Sequence, residues 1–217
     1  MQFWYCLFSS IEMLFDDEYI TVTHPAVGEF RDRGSRFLSF IYPVKREAEV
    51  KDLIQQIRKN HPKANHHCYA FRLGPGKQIF RFSDDREPAG SAGKPIFGVI
   101  QSNDLTDVLI IVVRYFGGTL LGVPGLINAY RESAAAGIKN ASLITLPVVE
   151  RYQLNFSYEV MNEVMTVIKM SKAQIYHQEL AENCMVQVEL VRKNSELFLD
   201  KIKNNHLLTG KCELKLC

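Results

Sequence analysis

Val108-Leu109-Ile110-Ile111-Val112-Val113-Arg114-Tyr115-Phe116-Gly117-Gly118-Thr119-Leu120-Leu121-Gly122 holds the change of pattern from which the rest of the chain is read. The apolar run Val108–Val113 has the length and β-branched content of a buried strand. It ends in an arginine and two aromatics, and a glycine pair follows at once. A helical pattern opens near Pro124 and runs to Asn140. Glycines between a strand and a helix let backbone N–H groups approach a ligand, and an arginine at the strand end is placed to meet an anion. No standard phosphate-loop spacing is present.

Upstream, Tyr19–Thr23 and Phe37–Tyr42 read as strands, with Gly28 and Arg31-Asp32-Arg33-Gly34 supplying the turn between them. Val50, Leu53, Ile54 and Ile57 recur at i, i+3, i+4, i+7, the apolar face of a helix over Lys45–Asn60. Cys68–Leu73 and Gln78–Phe82 read as a hairpin around Gly74-Pro75-Gly76. A long non-periodic loop, Ser83–Gly93, leads into a short helix over Lys94–Gln101. Pro147 marks a boundary, dividing the chain into domains at 1–144 and 145–217. The second follows β-α-β-β-α-β order: strands at Val148–Tyr158, Ala173–Leu180, Met185–Val191 and Gly210–Leu216, helices at Glu159–Met170 and Ser195–Asn204. This is the ferredoxin-like arrangement, so the fold class is α+β.

The charge is nearly balanced, with 17 basic and 15 acidic residues in 1–144 and 9 of each in 145–217. Neither domain has the strongly basic balance of a dedicated nucleic-acid binder. The five scattered cysteines include no C-x-x-C pair, which argues against a disulfide framework and for the cytoplasm. No segment has the length and apolarity of a membrane span. The apolar start, Met1–Leu14, lacks the basic region and cleavage site of a signal peptide; residues 1–12 read as a misassigned start, with Met13 the expected initiator.

Two loops concentrate chemistry-bearing residues. In the first, Asp84, Asp85 and Glu87 offer oxygen donors of the kind Mg²⁺ prefers, and Ser91 and Gly93 lie in a turn that suits an anion. The same residues equally serve as turn and cap formers. In the second, Arg114 offers a planar fork to phosphate or carboxylate, or pairs with a carboxylate of the first loop. Either arrangement brings the two loops together. His61, His66, His67 and Cys68 match no standard zinc spacing; on a strand His66 and Cys68 share one face and His67 takes the other, and a histidine facing the glycine loops as a ligand or acid–base group is the alternative. The G-x-S-x-G, phosphate-loop and H-E-x-x-H motifs are all missing, which disfavours the common hydrolase classes. No cofactor is evident, and Mg²⁺ is the cation the acidic loop would suit.

His61-Pro62 with His66-His67-Cys68, Phe82-Ser83-Asp84-Asp85 with Glu87-Pro88-Ala89-Gly90 and Ala92-Gly93-Lys94-Pro95, and Val113-Arg114-Tyr115-Phe116-Gly117-Gly118 with Leu120-Leu121-Gly122, Gly125-Leu126 and Ala129-Tyr130 together resemble the IMPACT/YigZ family. Ser35-Arg36-Phe37 fits its N-terminal pattern. The resemblance covers about Tyr19–Asn140 and implies a ribosomal-protein/elongation-factor-type β-α-β domain. The tail resembles the C-terminal domain of bacterial members, like the last domain of elongation factor G. It also implies a role in translation: eukaryotic relatives compete for a protein partner of a stress-responsive kinase. For bacterial members the fold the resemblance implies points to nucleic acid or the ribosome as the partner. The chain departs from the pattern at Arg86 and Pro124, where glycines are usual, at Val123 for a threonine, and at Asn65 and Asn128 for basic residues.

The candidate ligand-binding set is therefore Arg36, His66, Asp84, Asp85, Arg86, Glu87, Ser91 and Gly93, with Arg114, Tyr115, Gly117, Gly118 and Gly122 from the second loop. Three functions fit it. One is a translation-associated protein binding RNA or the ribosome. Another is a protein-interaction module. The third is an enzyme acting on a phosphorylated small molecule with Mg²⁺; binding ranks above catalysis.

Overall fold

A computed structural model describes residues 17–217, so the readings of Met13 and Cys6 lie outside the described residues. The elements in order are β1 (Glu18–Val22), β2 (Ala26–Asp32), β3 (Ser35–Pro43), α1 (Glu47–Asn60), β4 (His66–Leu73), β5 (Ile79–Ser83), α2 (Gly93–Ser102), β6 (Val108–Tyr115), α3 (Gly122–Lys139) and β7 (Leu143–Pro147). There follow β8 (Val149–Ser157), α4 (Met161–Met170), β9 (Gln174–Glu179), β10 (Asn183–Val191), α5 (Ser195–Lys203) and β11 (Cys212–Leu216). Contacts divide the chain between Leu146 and Pro147, two residues beyond the sequence-based division. Among the described residues no helix is long and apolar enough to cross a membrane.

In the first unit, β6 is the centre of a five-stranded antiparallel sheet ordered β2-β3-β6-β4-β5. Both β3 and β4 run antiparallel to β6, so β3–α1–β4 is a β-α-β element whose strands flank a third. Because side chains alternate across a strand, one sequence feeds two cores. Val108, Ile110 and Val112 join Phe37, Ile41, Cys68 and Ala70 against α2 and α3. Leu109, Ile111 and Val113 join Leu38, Phe71 and Leu73 against α1. Each such aliphatic side chain, fully buried, contributes about 1.5–3 kcal/mol, which is why the strand reads as continuously apolar.

Three sequence expectations change. Gly28 is no turn residue: it lies within β2, and a Cβ there would sit 2.2 Å from the backbone nitrogen of Gly137, so its bareness lets α3 lie directly on the strand. The hairpin partner of β3 is β2, turning at Arg33-Gly34, while β1 pairs instead with the unanticipated strand β7. The first helix begins at Glu47 rather than Lys45, whose N–H donates to the Glu49 carboxylate (2.9 Å).

The second unit is a four-stranded antiparallel sheet ordered β11-β8-β10-β9, the ferredoxin-like order. In β10, Cys184, Val186, Val188 and Leu190 alternate inward. They meet Val164, Val167 and Ile168 of α4 and Phe198 and Ile202 of α5. A short 3₁₀ turn, Tyr158–Val160, precedes α4, so the helix starts two residues later than its apolar pattern.

Candidate functional site

The register aligns Phe37, Arg114 and His66 in one row across β3, β6 and β4. They share the face packed by α2 and α3. Glu87 comes up from the first loop to meet them. Arg114 Nη1 donates to Glu87 Oε1 at 2.6 Å, and the two side chains are only 7% and 4% exposed. The Tyr130 hydroxyl of α3 donates to the same oxygen at 2.8 Å. His66 Nε2 stands 3.7 Å from it, and His66 Nδ1 donates to the Asp85 carbonyl (2.9 Å). The Arg114 guanidinium carbon lies 5.5 Å from the ring centres of both Phe37 and Phe116, and its Nε is buried without a hydrogen-bond partner among the described residues. Cys68 lies 3.3 Å from the Tyr130 hydroxyl and 3.0 Å from the Asp84 carbonyl. Burial pushes both the Cys68 thiol and the Tyr130 phenol far above their ordinary values, so both stay protonated.

Asp84 occupies the anion position at the start of α2. Its Oδ1 accepts from the N–H groups of Ala92 (3.0 Å) and Gly93 (2.8 Å), and its Oδ2 from Gly90 (2.9 Å). Ser91 is buried, its hydroxyl donating to the Pro88 carbonyl (2.7 Å). A Cβ on Gly93 would lie 2.8 Å from the Ser83 backbone, so this glycine serves the close contact of α2 with β5. The turn that reads as an anion cradle is filled by a carboxylate of the chain itself.

Asp85 is similarly engaged, accepting from Arg58 Nη2 (2.8 Å) and the His67 N–H (2.7 Å). Partial burial opposes its ionisation, but these hydrogen bonds and the charges of Arg58 and Arg86 outweigh it and hold the carboxyl below the usual aspartate range. A lowered folded-state pKa means the stabilisation is present above the unfolded value and is lost as pH falls through the folded one. The acid limb of a stability–pH curve below about pH 4 should therefore flatten in Asp85→Asn. An unchanged limb would show that Arg58 does not hold Asp85 in solution.

The exposed residues at this end of the sheet are different ones. Arg86, at φ +72, follows Asp85 at φ +40. It is exposed, and its Nη2 donates to the Asn65 carbonyl at 3.5 Å. Arg36 is half exposed and paired with Glu29 (2.8 Å), whose carboxyl Arg36 and Arg31 draw down to about 2. Tyr115 turns to the α1 face, its hydroxyl 2.8 Å from His61 Nδ1. Gly117, Gly118 and Gly122 are all exposed; the Gly117 N–H donates to Ser35 Oγ (3.2 Å), and Gly118 and Gly122 take φ of +85 and +70. The helix α3 begins at Gly122 with no side-chain cap.

The structure thus joins half-buried His66 to the buried pair Glu87 and Arg114, puts Asp84, Ser91 and Gly93 into a helix start, and leaves Arg86, Gly117, Gly118 and Gly122 on the surface. Tyr130, Cys68, Arg58 and Asn65 complete the arrangement; Asn65 Oδ1 accepts from the Phe116 N–H (3.0 Å). Tyr130 and Cys68 lie in the recognised motifs, but nothing in their spacing discloses a shared partner. A groove of about 410 Å³ at the opposite end of the sheet, lined by Tyr19, Pro43, Lys45 and Asp107 among others, contains none of the expected residues.

The model of the Impact N-terminal domain matches residues 33–138. An IMPACT family member of Haemophilus influenzae is 30% identical over 190 residues, 85% of this chain and 91% of its own. The IMPACT family member YvyE of Bacillus subtilis is 29% identical over 197 residues, 91% of this chain and 90% of its own. A crystal structure of a hypothetical protein superposes with a TM-score of 0.70 at 25% identity, covering 93% of this chain and 97% of that one. The motifs, the fold and near full-length similarity agree: the chain belongs to the IMPACT family.

Proposed function

We propose that the protein is a cytoplasmic, translation-associated regulator that works by binding RNA, alone or on the ribosome, through the rim formed by Arg86, the exposed loop from Phe116 to Leu120 and the start of α3 at Gly122 and Val123. The observation that carries this reading is Arg86. An L residue in the left-handed region costs about 1–3 kcal/mol, and here two stand in succession. The chain thereby accepts strain to hold an exposed guanidinium at the mouth of the two loops. The uncapped start of α3 adds partial positive charge on the second loop, although Pro124 provides no N–H. The first unit, residues 18–146, carries 17 Lys and Arg against 12 Asp and Glu, a surplus of the sign phosphates require.

Catalysis on a phosphorylated metabolite has weaker support. Asp84 directs both oxygens to backbone N–H groups, Asp85 is bound by Arg58, and Glu87 by Arg114 and Tyr130. These carboxylates are already coordinated by the protein.

Arg86→Gly separates the two consequences of this residue. Relief of strain should raise stability by about 1 kcal/mol, read by urea unfolding. Loss of one phosphate contact should weaken binding of an RNA hairpin and reduce the slope of log K against log salt by about 1. Increased stability with unchanged affinity and slope would remove Arg86 from the interface. Exposed Phe116, Leu120 (81%) and Val123 favour a second reading, a protein docked on the same loop. Complex formation that survives both nuclease and high salt would select it.

A further inference from the structure

Among the described residues β5 is an edge strand, and it carries a surface separate from the Arg86 rim. Phe80 and Phe82 point to the α2 side and are 50% and 40% exposed. Both lie near-parallel to the ring of Phe97 on α2, with centroids at 4.7 and 5.8 Å and interplanar angles of 17° and 29°. Phe97 itself is buried beneath them. Large apolar side chains on an unpaired edge are a liability that folds usually blunt with charge.

Beside the rings, Lys94, Phe97, Gly98 and Gln101 are neighbours on α2 by their i, i+3, i+4, i+7 spacing. Lys94 is exposed and has no ion-pair partner among the described residues; α2 contains no acidic residue. Gly98 is exposed within the helix, and a Cβ there would meet nothing within 4 Å. Neither backbone conformation nor internal packing calls for this glycine, which weakens the helix relative to alanine. A bare helix surface between a free lysine and two open ring faces suits a ligand that comes close to the backbone.

We propose that the corner of β5 and α2 is a platform for single-stranded nucleic acid, with bases stacking on Phe80 and Phe82 and a phosphate meeting Lys94. Charge selects this occupant over an added protein strand. Of the acids that follow β5 and α2 in the chain, Asp84 is committed to backbone N–H groups and Asp104 to Lys77 and Arg72, while Lys94 has no ion pair among the described residues. Every base has a face that stacks on an aromatic ring, so such a surface binds with little sequence preference. The proposal shares the ligand class of the Arg86 rim but rests on different residues, so the two can fail separately.

The test is fluorescence anisotropy of the full chain with labelled dodecauridine at low salt, beside the RNA hairpin used for Arg86. Phe80→Leu/Phe82→Leu keeps apolar cover over Phe97 while removing the ring faces. It should lose about tenfold or more in dodecauridine affinity, and Phe80→Tyr/Phe82→Tyr should retain it. Gly98→Ala should raise thermal stability yet weaken dodecauridine. Arg86→Gly should act mainly on the hairpin. Equal dodecauridine binding by the leucine variant and wild type, with circular dichroism showing both folded, overturns the proposal, as does no binding by wild type. Sedimentation of wild type as a dimer that the leucine variant dissociates, with no RNA bound by either, would assign the edge to a second copy and also overturn it.

Discussion

Glu87→Ala should destabilise the IMPACT unit by about 3–5 kcal/mol, the cost of leaving a buried charge without its partner. Arg114 is held among Phe37, Phe116 and Glu87, with Nε already unsatisfied. Removing Glu87 takes away the acceptor of Nη1 and that of the Tyr130 hydroxyl together. A domain is commonly stable by about 5–15 kcal/mol, so a large share would go, and the melting temperature should fall by about 10–20 °C. The double substitution Glu87→Leu with Arg114→Met removes both charges and should lose less than the single. Calorimetry on the three chains decides it. A loss under about 1 kcal/mol in Glu87→Ala would mean that Arg114 readily reaches water or an anion. Recovery of that variant by added phosphate would show that Glu87 occupies an anion position, and would return Arg114 to the binding site.

Strand β6 was legible because burial on both faces removes every polar residue until Arg114. Strand β10 was legible for the opposite reason, since one covered face makes every second residue apolar. Strand β2 was not, because an edge strand needs little apolar surface and its inward position at Gly28 is set by the backbone of α3, more than a hundred residues away in sequence. The meeting of the two loops followed from charge alone, as an arginine ending a buried strand needs an anion. Which carboxylate meets it does not follow from spacing. Glu87 takes that place because Asp84 is used by α2 and Asp85 by Arg58. The tyrosine that completes the cluster stands 43 residues from Glu87, and only the packing of α3 brings it there.

The glycine pair that first marks the site divides into two roles, with opposite expectations. A Cβ on Gly117 would stand 1.9 Å from the carbonyl carbon of Gly34 and 2.2 Å from the Ser35 nitrogen. These are backbone atoms of the β2–β3 turn and cannot rotate aside. Gly117→Ala must therefore separate that turn from the end of β6, breaking the contact of the Gly117 N–H with Ser35 Oγ. The expected cost is about 3 kcal/mol, the upper part of the range for overpacking. Gly118 has open space around it, so Gly118→Ala pays only for a positive φ, about 1 kcal/mol. Urea unfolding should order them in that way, and equal losses would refute the division. If the loop binds RNA, the order should invert once protein is folded: Gly118→Ala, adding a methyl where the backbone is open, should weaken binding more than Gly117→Ala. The first glycine then belongs to the fold and the second to the ligand, and only the second is evidence of a site.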